Sequence, residues 1–436
     1  MTGAQEPETV STTTQRIAES ARNHPQRAFT SLAHHLDAGW LQRAWERTRK
    51  DGAPGIDGCD AEHYAGDLQG NLADLLERAK SGSYRAPAVR RVYIPKGDGK
   101  RTRPIGIPTL EDKVLQRAVV MVLEALYEQD FVAGSYGFRP GRSAHQALET
   151  VRTSLVRMGG GWVLELDIEA FFDTLDHQHL RAFLDRRVRD GVLRRLIDKW
   201  LKAGVMEDGV YTRSVEGSPQ GGVISPLLAN VYLHDVLDEW FEQEVKPRLR
   251  GRAQLIRYAD DATLVFATEA DARRVMEVLP KRFGRYGLRL HPSKTRLVRC
   301  YPPRAGETDA ESSFDLLGFT HYWGRTRRGG WTLKRKTAKD RFARALRSIK
   351  HWCRGHRHEP LEAQHLTLSR KLRGHYAYYG ISGNARAIAT FRFRVERMWI
   401  KWLGRRSQRA RLNWDRAASL AARFSLPPAR LVHRFA

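Results

Sequence analysis

Two short runs constrain this chain more than anything else in it. Val163-Leu164-Glu165-Leu166-Asp167-Ile168 alternates as a strand does. In the other, Gln254 to Tyr258 and Ala262 to Ala267 are two short apolar stretches around Asp260-Asp261, a hairpin pattern. Both runs set aspartates in apolar surroundings, where an unpaired carboxylate is costly. Taken singly, each Asp reads as a turn former or a helix cap. Taken together, acids converging at strand ends are what hard cations such as Mg²⁺ require. Two such ions about 3.5–4 Å apart can activate an attacking hydroxyl and stabilise the leaving oxygens in phosphoryl transfer.

Charge narrows the partners. The 436 residues hold 75 Lys and Arg against 49 Asp and Glu, a formal charge of +26. So large an excess self-repels unless a polyanion neutralises it, which points to nucleic acid or an anionic surface. Fifty-nine of the cations are Arg, whose planar fork suits phosphate. The excess is concentrated: His321 to Ala436 carries 29 Lys and Arg against five Asp and Glu, with six of the 11 Trp (Trp323, Trp331, Trp352, Trp399, Trp402 and Trp414). Interleaved cations and aromatics suit backbone neutralisation with base stacking. The alternative is a helical domain with solvated Arg faces and Trp in its core. The sequence has no apolar run long enough to span a bilayer and no apolar leader segment. Cys59, Cys300 and Cys353 are too scattered for a disulfide framework or a Cys-ligated zinc site. The expectation is a cytoplasmic protein with no membrane partner.

Periodicity and punctuation predict helices over 28–50 and 61–80, then strands Val89 to Ile94 and Arg103 to Ile107 about a Gly97-Asp98-Gly99 turn. A Thr109/Asp112 capping box opens a helix to about Glu128. Gly159-Gly160-Gly161 launches a strand from Val163 to Ile168, Asp173 with Asp176 caps the next helix, and Ser225-Pro226 starts one running to about Val245. A hairpin surrounds Asp260-Asp261, followed by a helix over 271–286 and a strand from Thr295 to Cys300. The segment 324–336 reads as a linker, with helices alone beyond it. The fold class expected is α+β followed by an α-helical appendage.

The motifs add a resemblance. Tyr258-Ala259-Asp260-Asp261 resembles the metal-binding turn of reverse transcriptases, and Leu166-Asp167-Ile168-Glu169-Ala170-Phe171-Phe172-Asp173 resembles their first catalytic strand. Gly217-Ser218-Pro219-Gln220-Gly221-Gly222 resembles the loop that holds the incoming nucleotide. More narrowly, several stretches are similar to those of group II intron-encoded reverse transcriptase/maturases of the endonuclease-lacking type. These are Gly55-Ile56-Asp57-Gly58, Arg91-Val92-Tyr93-Ile94-Pro95-Lys96, Arg103-Pro104-Ile105-Gly106-Ile107-Pro108, Tyr136-Gly137-Phe138-Arg139-Pro140-Gly141-Arg142-Ser143, Phe314-Asp315-Leu316-Leu317-Gly318-Phe319 and Leu372-Arg373-Gly374-His375-Tyr376.

The resemblance implies a right-hand polymerase, its fingers and palm built on antiparallel sheet. Residues 1–27 would be a tail, 28–160 an N-terminal extension with fingers, 161–323 the palm, and 324–436 a basic helical thumb/maturase domain. Asp167 and Asp260, with Asp261 assisting and the Ile168 carbonyl added, would bind two Mg²⁺ ions, for which Mn²⁺ can substitute. Lys96 and Arg103 would grip the triphosphate, and Gln220 and Gly221 would meet the nucleotide. Phe172 would exclude a 2′-hydroxyl unless it is a core side chain, and Lys294 would protonate pyrophosphate. The strand Leu316 to Tyr322 would grip the primer, and Arg335, Lys336, Arg341, Arg344, Arg373, Arg405 and Arg406 would contact RNA. Implied partners are an RNA template with a DNA primer, dNTPs, intron RNA and target DNA. No endonuclease module is expected, because the sequence stops at Ala436 without Cys pairs. The leading expectation is RNA-directed DNA polymerisation with a maturase role. The alternatives are a splicing cofactor without polymerase activity or a domesticated reverse transcriptase in host defence or repair; Phe172 disfavours an RNA-directed RNA polymerase.

Overall fold

The computed structural model describes residues 7–95, 102–207, 210–212, 221–303, 312–326, 328–407 and 413–434. The chain forms two compact units: 1–147 with 164–297, and 148–163 with 298–436.

The first unit opens with helices α1 (Pro7–Asn23), α2 (Ala38–Arg47), α3 (Ala61–Ala65) and α4 (Leu68–Ser81). Strands β1 (Val89–Pro95) and β2 (Thr102–Ile107) then lead into α5 (Leu110–Tyr127). Within the stretch read as a tail, α1 packs on α5 and buries Ile17 and Ala21, one helical turn apart. The helix expected over 28–50 begins only at Ala38, because Phe29 pairs instead with Val188 and Asp37 caps the helix by accepting from Trp40 N–H. The helix expected over 61–80 is split where Asp67 caps α4. Thr109 caps α5 as expected by accepting from Asp112 N–H. The Asp112 carboxylate does not complete the box: it is buried and accepts from Tyr84 Oη and Trp200 Nε1 at 2.6 Å each and from Gln116 Nε2 at 3.0 Å.

Helix α6 (Ala144–Met158), strand β3 (Gly161–Leu166), and helices α7 (His177–Asp185) and α8 (Gly191–Leu201) follow. Asp176 alone caps α7, accepting from Gln178 and His179; Asp173 lies in the preceding turn. After β4 (Val205–Glu207) and β5 (Val210–Thr212), α9 (Ser225–Leu233) continues as two π-helical segments, His234–Glu239 and Phe241–Val245. Then come β6 (Ala253–Tyr258), β7 (Asp261–Phe266), α10 (Glu269–Gly284) and β8 (Arg296–Cys300). One sheet runs β2-β1-β4-β5, with β1 parallel to β4 but antiparallel to β2; the other runs β6-β7-β3-β8. Ala262 to Phe266 are all buried, as befits a central strand covered on both faces.

In the second unit, β9 (Phe314–Leu316), β10 (Phe319–Arg325) and β11 (Trp331–Thr337) form an antiparallel sheet ahead of α11 (Lys339–Gly355), α12 (Leu361–Tyr379), α13 (Ala385–Leu403) and α14 (Trp414–Arg423). The segment read as a linker is therefore a β-hairpin. Leu333, Arg335 and Thr337 alternate into the interior, a period-2 pattern that its Gly and Arg content disguised. The single strand expected over Leu316 to Tyr322 is two strands around Leu317-Gly318, both with positive φ. Ile388, Phe391, Val395, Trp399 and Leu403 form the buried stripe of α13 at helical spacing. Among the described residues no helix is long and apolar enough to cross a membrane.

Candidate active site

Asp167 directly follows β3. Its carbonyl accepts His291 N–H at 2.8 Å, Glu169 N–H donates to the Arg289 carbonyl at 2.9 Å, and Ile168 faces Leu290 in antiparallel pairing. In such a ladder the middle residue turns its own polar groups the other way, so the Ile168 carbonyl is left outside the pairing. The Asp167 carboxylate is half-exposed, and Lys294 Nζ donates to both of its oxygens at 3.1 Å. Just upstream, Glu165 pairs with Arg296.

The other two acids sit at the tip of the β6–β7 hairpin. Tyr258 pairs with Asp261, which leaves Ala259 and Asp260 as a two-residue turn. Ala259 takes φ +58°, a costly conformation for a residue with a side chain. Asp260 is half-buried and Asp261 exposed. Strand β7, which begins at Asp261, is the sheet neighbour of β3, which ends one residue before Asp167.

Fully buried Arg257 supports this turn. It donates to Asp238 through Nε at 2.7 Å and Nη2 at 2.6 Å, to Asn230 Oδ1 and the Ala259 carbonyl through Nη1 at 2.9 Å each, and to Ser135 Oγ at 2.8 Å. Asn230 in turn donates to the Gly137 carbonyl at 2.7 Å. The loop 134–137 thus runs beside β6, with Arg257 N–H donating to the Gly134 carbonyl and Tyr136 N–H to the Arg257 carbonyl, both at 2.8 Å. A Cβ on Gly137 would overlap the Ala259 backbone, so only glycine permits this approach. Sequence reasoning missed Arg257, Asp238, Asn230 and Ser135. The available signal was Arg257 itself, a cation inside an apolar strand. Among the described residues, the four non-glycine positive-φ positions are Phe138, Ala170, Ala259 and Leu317. The first lies beside Gly137, and the next two lie within three residues of a candidate acid.

The other expected site residues are placed unequally. Phe172 is half-buried, 5.3 Å edge-on from Phe171, and it is Phe171 that fills the core. Arg103 is exposed on β2. Gly221 takes φ +124°, and a Cβ there would collide with the Gly106 carbonyl of β2, so its backbone packs on that strand. Behind it, Gln116 Oε1 accepts Ile224 N–H at 3.1 Å, which ties the loop's exit to the Asp112 hub. Lys96 and Gln220 lie outside the described residues.

In the second unit, Lys336, Arg341, Arg373 and Arg405 are exposed. Arg344 is half-buried and pairs with Asp340, and Arg406 donates to the Arg357 and Glu359 carbonyls at 2.5 Å. Arg335 does not belong with them. It is 2% exposed, pairs with Glu149 at 3.0 Å, and cannot reach an external ligand from that position. Of the Trp residues, Trp323 and Trp399 are core, while Arg325, Lys371 and Arg405 lie over the half-buried rings of Trp331, Trp352 and Trp402.

Among the described residues no three His, Cys, Asp or Glu side chains converge as a preformed ion cage; Asp167 is turned onto Lys294 instead. The donor set still fits a hard cation. It offers carboxylates and a backbone carbonyl, and Asp167 already engages an ammonium through both oxygens.

Acids on neighbouring strands of a mostly buried sheet, a supported acidic hairpin and a basic helical unit define a right-hand polymerase fold followed by a helical domain. Residues 94–321 match the family described as "Reverse transcriptase (RNA-dependent DNA polymerase)". "Protein YkfC" of Escherichia coli is 38% identical over 277 residues, covering 56% of this chain and 72% of that protein. "Group II intron-encoded protein LtrA" of Lactococcus lactis is 36% identical over 225 residues, and the match spans 51% of this chain and only 37% of LtrA. "Nuclear intron maturase 2, mitochondrial" of Arabidopsis thaliana is 30% identical over 176 residues, 31% of this chain and 24% of that protein. The chain belongs to the reverse transcriptase family and, within it, to the group II intron-encoded reverse transcriptase/maturases.

Proposed function

We propose that the chain is an RNA-directed DNA polymerase that extends a DNA primer on an RNA template from dNTPs. Its basic helical unit also binds group II intron RNA to assist splicing and mobility into target DNA. The observation that carries this reading is the pair of neighbouring strands, β3 running into Asp167 and β7 starting at Asp261, with the hairpin turn fastened by Arg257.

In this reading Asp167, Asp260 and the Ile168 carbonyl would hold two Mg²⁺ ions, with Asp261 assisting. Bound there, the ions would ease deprotonation of the primer 3′-hydroxyl and neutralise charge on the pyrophosphate leaving group. The chain's own residues do the positioning. Lys294, whose ammonium rests on the Asp167 carboxylate, would stand beside the site as a proton donor to pyrophosphate. Phe172, resting on Phe171, presents a ring where a 2′-hydroxyl would clash. Arg103 and Lys96 hold the triphosphate, and Gln220 with the Gly221 backbone faces the nucleotide. Residues 28–160 act as N-terminal extension and fingers, 161–323 as palm and 324–436 as thumb, in a cytoplasmic protein.

Primer extension on an RNA template with a DNA primer, dNTPs and Mg²⁺ tests this. Wild type extends the primer, and Asp260→Ala with Asp261→Ala abolishes extension while RNA binding persists. RNA binding by a wild type that incorporates no nucleotide would instead leave a splicing cofactor. Phe172→Ala should raise NTP incorporation; unchanged sugar selectivity removes Phe172 from the site.

A further inference from the structure

The loop that runs beside the acidic hairpin carries a side chain to which the polymerase reading gives no task. Phe138 is 54% exposed and holds φ +55°. A single exposed phenylalanine needs no explanation. A bulky side chain in the left-handed region does, because that backbone costs free energy and persists only where its surroundings over-determine it.

Here they do so from both sides. Before Phe138, the Gly137 carbonyl accepts from Asn230 Nδ2 at 2.7 Å, and the Gly137 backbone lies against Ala259 too closely for a Cβ. After it, Arg139 is 7% exposed and donates to the Val132 and Ser135 carbonyls at 2.8 and 2.7 Å and to the Glu128 carboxylate at 3.0 Å. The chain is clamped at 137 and 139, and the ring between them is held out toward solvent. Its centroid lies 6.3 Å from that of half-buried Tyr258, the two rings tilted against each other. Tyr258 is paired with Asp261, and residues directly opposite in a ladder present their side chains on one face. The two rings therefore flank the hairpin on the face that Asp261 presents. The same turn exposes Arg142, whose guanidinium lies over Tyr136. An exposed ring near an exposed cation suits a nucleic-acid strand.

We propose that Phe138 and Tyr258 form an aromatic ledge that meets the sugar and base edge of the primer's 3′-terminal nucleotide. The ledge has this task only if the polymerase reading holds, since that reading sets the nucleotide at the acids. Position selects primer over template: the ledge flanks the hairpin turn itself, where the strand being extended has to end. The contact is apolar, so its energy comes from surface removed from water and not from counterions released. The strained φ is then the cost of a ring fixed in place before substrate arrives rather than ordered on binding.

Equilibrium binding of an RNA template with a recessed DNA primer, with Mg²⁺ and no dNTP, tests this beside binding of the unprimed RNA strand. Phe138→Asn is the key variant, since Asn tolerates positive φ. Its unfolding midpoint should match or exceed that of wild type, while affinity for the primed template falls about fivefold or more, the scale of losing one aromatic contact with a nucleotide. Affinity for unprimed RNA and the salt slope should not change. Phe138→Tyr should bind primed template as wild type does, as should Val278→Asn, which alters an exposed apolar residue of α10. Full affinity for primed template in Phe138→Asn overturns the ledge. So does an equal loss for primed and unprimed RNA, which would make Phe138 a support of the loop. If Phe138→Asn fails to fold, Phe138→Ala, which keeps the backbone demand of the wild type, is read in the same way. A wild type that neither extends the primer nor holds primed template more tightly than unprimed RNA removes the polymerase reading itself, and the ledge with it.

Discussion

The two units use arginine in opposite ways. In the first, Arg257 is fully buried and all its contacts are internal, to Asp238, Asn230, Ser135 and the Ala259 carbonyl. In the second, α13 buries Ile388, Phe391, Val395, Trp399 and Leu403 and leaves Arg386, Arg394, Arg397 and Lys401 exposed. The first arrangement fixes a strained backbone turn in one geometry. The second keeps cations hydrated and available to a polyanion. A count of arginines cannot separate the two uses; burial and partner do.

The largest effect that would break this contrast is at Arg257. Replacing it with Met strands Asp238 as a buried, uncompensated charge, and losses of about 3–5 kcal/mol are usual in such cases. Arg373→Met on the exposed face of α12 should change stability by no more than about 0.5 kcal/mol. Denaturant unfolding of both variants checks the contrast. If the two midpoints move alike, Arg257 is not the support inferred here. The double substitution Arg257→Met with Asp238→Leu should recover much of the loss, because no lone charge then remains.

Asp112 sharpens the comparison, since it is a buried charge held by neutral donors rather than by an ion. Burial raises its carboxyl from the ordinary value of 3.8 to about 6. Between those values the unfolded chain is already ionised while folded Asp112 keeps its proton. Stability therefore falls as pH rises from about 4 to about 6 and then levels, by on the order of 2–3 kcal/mol for a shift of this size. Asp235, which burial also pushes up to about 6, acts in the same direction, so the slope should be shallower, not absent, in Asp112→Asn. Unfolding midpoints at four or five pH values would resolve it; identical slopes would mean Asp112 is ionised throughout.

Arg335 lies on the wrong side of the contrast for its neighbourhood. Removing its guanidinium should cost about 1–3 kcal/mol, because Glu149 loses a buried partner. The salt slope of RNA binding should stay unchanged. Lys336→Ala or Arg373→Ala should do the reverse, leaving stability alone and lowering the slope by about one. A flattened slope in Arg335→Ala would put that side chain back on the RNA.

What the sequence discloses follows the range of the interactions involved. The acidic hairpin, the β1–β2 pair and the Thr109 cap rest on neighbours within a few residues, so short apolar runs, turn residues and capping chemistry expose them. The Arg257 support joins residues from α9, the π-helical segment, β6 and the loop at Ser135, 122 positions from Arg257, and no local pattern announces such a cluster. The 324–336 hairpin was hidden because Gly and Arg mark both linkers and exposed strands; only the alternate burial of Leu333 and Arg335 distinguishes them. Phe171 and Phe172 are chemically alike and adjacent, and nothing short of packing separates the core ring from the free one. The Lys294–Asp167 pair spans 127 positions and becomes visible only once His291 pairs with the Asp167 backbone.

The smallest effect tests whether the aromatic–cation pairs of the second unit belong to the external or the internal use of arginine. Arg405 is exposed and lies 5.5 Å from the centroid of Trp402, itself half-buried. At an exposed site such a pair contributes about 0.5–1 kcal/mol. If the guanidinium chiefly meets phosphate, Arg405→Lys keeps the charge and RNA affinity changes less than about twofold, while Arg405→Ala loses a few-fold and shallows the salt slope. If it chiefly shields Trp402, both variants lose the stacked plane, stability drops slightly in each, and affinity follows stability rather than charge. Fluorescence titration of RNA at two salt concentrations, run beside thermal unfolding of the same two proteins, separates these outcomes. Retained affinity in Arg405→Lys with reduced affinity in Arg405→Ala places Arg405 with the exposed cations of α13.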